Sequence, residues 1–138
     1  MAGILPYDAE HDTLTGMIAN WLGSSYCHLY KTAITLGTGT TLAALLAAEC
    51  TFTGYAPVLL NSWTSTTIDG TGAAVSTCTL AQFTPTAVAG SGSIYGYFLC
   101  NATGFAFYGV EAFSGGAITL AQGVTLEIDI TYSDITRF

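Results

Sequence analysis

Charge is scarce in this chain. Only Lys31 and Arg137 are basic among 138 residues, against nine carboxylates, and charged residues make up 8%, where soluble domains average about 25%. A net charge of −7 with two cations cannot neutralise a run of phosphates, which excludes a nucleic-acid partner. Attachment to an anionic membrane surface fails for the same reason. Long apolar runs are also missing. The longest, Leu42 to Ala48, is far too short to span a bilayer. The first residues, Met1-Ala2-Gly3-Ile4-Leu5-Pro6-Tyr7-Asp8, lack a basic region followed by an apolar stretch, which reads against a secretory signal. Proline occurs three times, at 6, 57 and 85. Cys27, Cys50, Cys78 and Cys100 allow three disulfide pairings but form no Cys-x-x-Cys. They read as small hydrophobes in strands rather than as a zinc site.

What is present is apolar and β-prone. The chain is 51% hydrophobic and 12% aromatic, too much for disorder, and holds 22 Thr and 16 Gly. Its length suits one domain, residues 1–138. Residues 1–7 read as an N-terminal arm. Residues 8–22 predict an amphipathic helix, because Leu14, Met17, Ile18, Trp21 and Leu22 fall on one stripe. Residues 25–132 predict a β-sandwich or jelly roll, and 133–138 a tail. Within it, Ser25 to Tyr30 is a strand that Ile34 and Leu36 extend. Leu42, Leu45 and Leu46 make a short second helix ending near Cys50. Strand signals follow at Thr51 to Thr53, Tyr55 to Trp63 and Val75 to Phe83. Ile94 to Cys100 and Phe105 to Phe113 form a hairpin around a turn at Asn101 to Gly104. Val124 to Tyr132 alternates apolar and polar residues most cleanly. The expectation is a mainly β, antiparallel fold of seven to eight strands.

The chain offers little for catalysis. His11 and His28 are its only imidazoles, His11 in the first helical turn and His28 among aromatics in a strand, where it reads as structural. No Gly-x-Ser-x-Gly elbow occurs, and no Gly-rich stretch continues into Gly-Lys-Ser/Thr. No nucleophile–base constellation can be assembled from the sequence, so the chain is expected not to be an enzyme. Asp8, Glu10 and Asp12 are spaced like the first ligands of a calcium loop, but the glycine and distal glutamate are missing. They read as helix-start acids, and no metal or other cofactor is expected. Glu127 and Asp129 share a solvated strand face.

The aromatics crowd one region. Tyr95, Tyr97, Phe105, Phe107 and Tyr108 are candidates for core plus intersubunit contact, and Glu111, which interrupts the same apolar stretch, for a polar interface contact. Ile4, Leu5 and Tyr7 are candidates for a docking arm, and Phe138, at the end of Asp134-Ile135-Thr136-Arg137-Phe138, for a second. Soluble β proteins guard strand edges with Lys or Pro. With one Lys and three Pro, this chain is expected to have its edges covered by neighbouring chains, as a homotrimer.

The order of features carries a resemblance. An amphipathic helix is followed by Cys27-His28-Leu29-Tyr30-Lys31 and a short Leu/Ala helix. Then come Thr51-Phe52-Thr53-Gly54-Tyr55-Ala56-Pro57-Val58, Trp63, and Ile94-Tyr95-Gly96-Tyr97-Phe98 before a final alternating strand. Over residues 12 to 132 this resembles small virion structural proteins of tailed bacteriophages, nearest in role to jelly-roll capsid cement (decoration) proteins. The resemblance implies a non-enzymatic protein on the outer capsid surface that trimerises and bridges major capsid subunits. Two other roles remain open. One is a tail-fibre or head-fibre module recognising a host glycan, which exposed rings beside Asn61, Gln82 or Asn101 would favour. The other is a head–tail connector or tail subunit.

Overall fold

The computed structural model describes residues 14–19, 22–70, 73–101 and 106–134. The protein is mainly β, and every strand pairing is antiparallel. The strands are β1 (Ser25–Tyr30), β2 (Val58–Leu60), β3 (Thr67–Ile68), β4 (Ala74–Phe83), β5 (Ser93–Ile94), β6 (Gly96–Asn101), β7 (Phe107–Ala112), β8 (Ile118–Thr119) and β9 (Leu126–Asp134). They form sheets of order β2-β1-β6-β7, β3-β4-β9 and β5-β8. The described strands number nine, not seven or eight, because β3, β5 and β8 are two-residue pairings without a sequence pattern of their own.

Residues 14–19 form α1. Leu14 is fully buried against Ala74, with Met17 and Ile18 packed beside it, as the apolar stripe predicts. Residues 8–13, 20 and 21 of the expected helix lie outside the described residues. The second helix, α2 (Leu42–Ala47), follows from Leu and Ala propensity and from Thr41, whose hydroxyl accepts from Ala44 N at 3.2 Å as an N-cap. It ends before Cys50, because Glu49 is drawn into an isolated antiparallel bridge with Tyr30.

Alternation along β1 and β6 buries both faces of the four-stranded sheet. Cys27, Leu29 and Leu99 join Cys78, Ala81, Phe83, Ile128 and Ile130 of the three-stranded sheet in one core cluster. Tyr30, Phe98 and Cys100 point the other way, where Leu45 of α2 and Ala48 cover them. A one-residue register shift on β4 between Cys78 and Ala81 keeps both halves of that long strand aimed at the core. The inward set changes there from even to odd positions.

Local patterns misjudged four segments. Thr51 to Thr53 is not a strand: Tyr55 N donates to Phe52 O at 3.0 Å, and Gly54 at φ 91° completes a turn. Tyr55 to Trp63 shrinks to β2 plus a bridge from Trp63 to Cys78. Ile94 to Cys100 breaks at Tyr95, where β5 and β6 part to different sheets. Ile34 and Leu36 do not prolong β1. The hairpin of β6 and β7 stands as expected, whereas β9 begins two residues after Val124 and runs into the expected tail, because Ser133 and Asp134 still pair with Val75 and Ala74 of β4.

Candidate functional site

Two arrangements collect the chemically able side chains. The first is a relay across the four-stranded sheet. His28 on β1 places Nδ1 2.6 Å from Glu49 Oε1. A carboxylate only accepts, so Nδ1 carries a proton and donates to it. Cys100 Sγ on β6 lies 3.2 Å from Nε2 of the same ring. The Tyr55 hydroxyl donates to the same Glu49 oxygen at 2.7 Å and accepts from Leu29 N at 3.1 Å. Phe98 stacks on the imidazole, centroids 4.9 Å apart.

Backbone pairing builds this relay. Lys31 N donates to Ala48 O at 2.7 Å and Cys50 N to Leu29 O at 2.9 Å, which holds Glu49 alongside β1. Its partners lie 21 and 72 residues apart, so no spacing in the sequence announces them. The nucleophile, base and orienting carboxylate that seemed absent are therefore brought together. Their order is that of a thiol, an imidazole and an acid, but the thiol is not activated. Cys100 is 0% exposed, and burial, reinforced by the negative charge of Glu49, pushes its thiol above the ordinary range. A reactive cysteine has the opposite setting. All four cysteines are buried and free, as small hydrophobes would be, although Cys50 lies outside the strands.

The second arrangement is a trough between the sheets. On one flank the chain seals the sheets. Trp63 bridges to Cys78, Thr64 N donates to Thr77 O at 2.9 Å, and Ser76 Oγ donates to Thr64 O at 2.6 Å. The edge strands there, β2 and β3, are three and two residues long. On the other flank lie β7 and β9, six and nine residues long, each the outermost described strand of its sheet. Between them runs a cleft of about 270 Å³ lined by Tyr97, Leu99, Glu111, Ile130 and Tyr132 among others. It continues past Tyr97 and Glu111 into a depression of about 630 Å³ reaching Phe113 and Leu126. The Tyr97 hydroxyl donates to Glu111 Oε2 at 2.8 Å. Burial, that hydrogen bond and the adjacent carboxylate all raise the Tyr97 pKa. Tyr132 closes one end by donating to Tyr108 O at 3.3 Å.

The expected interface residues divide accordingly. Tyr97 and Glu111 line the cleft, and Tyr108 flanks it on β7. Tyr95 and Phe107 instead pack half-buried against the cluster beneath α2. Ile4, Leu5, Tyr7, Phe105 and Phe138 lie outside the described residues. Gln82 and Asn101 are engaged within the fold, Gln82 donating to Glu127 at 3.1 Å and Asn101 accepting from Ala106 N at 3.1 Å. Among the described residues no group of three or more His, Cys, Asp or Glu converges as a metal site, and no helix is long and apolar enough to cross a membrane. No family model, no curated protein and no solved structure matches the chain.

Proposed function

We propose that this protein is a non-enzymatic structural subunit of a phage virion, a capsid cement or decoration protein built as an antiparallel β-sandwich of jelly-roll type. The observation that carries the reading is the pair of long outermost strands, β7 and β9, side by side on one flank of a chain with two basic residues. Strand edges of that length invite addition of a further strand, and a subunit buried in an assembly has them covered. The sandwich is supported by the single core cluster that both larger sheets share. The sealed, unactivated Cys100 favours a structural role over a catalytic one.

The mechanism is burial of surface that exists only in the assembled shell. A subunit seated where capsid proteins meet adds interfaces of about 1,600 Å². If it binds the mature shell and not its precursor, linkage shifts the equilibrium towards the mature shell. The surface suits this role: the outer face of β4 and β9 carries a Thr77–Thr131 hydroxyl pair at 3.0 Å, and one residue beyond the strands Thr84 and Thr125 pair at 2.7 Å. The test compares particles with and without the protein under heat and osmotic shock, alongside images locating it. Particles that lack it should burst at lower temperature. Equal resistance, or a position on the tail, would refute the cement role.

A further inference from the structure

We infer that the trough between β7 and β9 receives an extended, cationic strand of a partner protein, added to the outer edge of β7, the outermost described strand of its sheet. The inference rests on the reading of the chain as an assembly subunit, and it names the partner chemistry of that site.

Backbone geometry supplies the acceptor edge. Phe113 N donates to Tyr95 O at 3.0 Å, and Tyr97 pairs with Glu111. Hydrogen-bonding direction alternates along an antiparallel strand, so the N–H and C=O groups of Val110 and Ala112 point away from β6. The trough beside them follows β9 from Tyr132 to Leu126, a run of about 20 Å at the rise of a strand. Its length suits an extended segment of about six residues, not a compact ligand.

Charge selects the occupant. Glu111 faces the trough from β7 and Glu127 borders it on β9. Their donors, the Tyr97 hydroxyl and the Gln82 amide, are neutral groups and bring no cation to either carboxylate. Lys31, the one Lys or Arg among the described residues, is bonded to Thr51. An inward-pointing charge on an edge strand discourages pairing between copies. A second copy, with net charge −7, is therefore a poor guest. A strand carrying Lys or Arg at alternate positions turns the same carboxylates into attraction.

The test uses the whole protein and two capped eight-residue probe peptides of alternating Val and Lys or Val and Glu, read by amide hydrogen exchange. At millimolar concentration the Lys peptide should slow exchange of Val110 and Ala112 by about tenfold or more. The Glu peptide should leave both unchanged. Raising salt from about 0.05 to 0.5 M should weaken the Lys peptide several-fold. Glu111→Lys should invert the preference between peptides. Ala112→Pro, at an exposed position whose N–H faces outward, leaves the β6 ladder intact and should abolish the protection. Equal protection by both peptides, or protection by neither, would overturn the inference. So would slow exchange in the protein alone that quickens on dilution, since a second copy would then occupy the edge. Particle-stability measurements do not read this edge, so the cement role and the cationic strand can fail separately.

Discussion

Removing the Glu49 carboxylate is the sharpest probe of the buried relay. Glu49→Ala deprives the His28 Nδ1–H and the Tyr55 hydroxyl of their shared acceptor, Oε1, at 2.6 and 2.7 Å. A hydrogen bond to a charged group contributes about 1.5–3 kcal/mol, and a buried donor left unsatisfied costs a similar amount. Two such bonds set an upper range of about 3–6 kcal/mol. The Glu49 side chain is 24% exposed and that of His28 11%, so water replaces part of the loss on the Glu49 side. The expected net destabilisation is about 2–4 kcal/mol. For a chain of this length that lowers Tm by roughly 6–16 °C. Urea unfolding read by tryptophan fluorescence measures it, and the double variant His28→Ala/Glu49→Ala completes a thermodynamic cycle. Since the two residues share one network, the double variant should be less destabilised than the sum of the singles by about 1 kcal/mol or more. A cost below about 0.5 kcal/mol for Glu49→Ala, or strict additivity, would refute the relay as a stabilising unit.

Three further outcomes follow from the packing. Gly96→Ala should unpair β6 and β7, because its Cβ would run into Glu111 O and approach Tyr30 Oη to 2.6 Å and Ala112 Cα to 2.8 Å. Faster amide exchange along β7 and a loss of about 2 kcal/mol or more would report it, and wild-type exchange would count against the close approach. Stability should fall as pH rises from 9 to 11. Burial lifts Cys50 from 9.0 to about 11 and raises Cys27, Cys78 and Cys100 as well. In that window the unfolded chain releases thiol protons that the folded state retains. Urea midpoints at pH 7, 9 and 10.5 test this, and a flat profile contradicts it. Thr41→Ala removes the cap on α2 and should cost about 1 kcal/mol, with exchange quickening in residues 42–47 before β1 or β6, which circular dichroism and hydrogen exchange resolve.

Much of the fold was legible because its cues are local. The Leu14, Met17, Ile18 stripe, the Ala- and Leu-rich α2, the β6–β7 hairpin and the alternation of β9 each follow from side-chain period and intrinsic propensity. Where those cues failed, a neighbour distant in sequence decided. Thr53 O accepts from Thr86 N, which holds the Thr51 to Tyr55 segment in a turn despite its strand-like composition. Tyr95 is the hinge between sheets, although Ile94 to Cys100 reads as one unbroken run.

The candidate sites divide along the same line. The scarcity of cations, the apolar hairpin and the odd placement of Glu111 within it are properties of the sequence, and it is on these that the proposed assembly role rests. Only the tertiary structure brings Cys100 and Glu49 to opposite nitrogens of His28. It alone leaves β7 and β9 the outermost described strands of their sheets, while Trp63 and Thr64, joined to Cys78 and Thr77, close the other flank. The physical reason is that side-chain period reports which face of an element is buried, whereas long-range pairing depends on register between strands far apart in the chain.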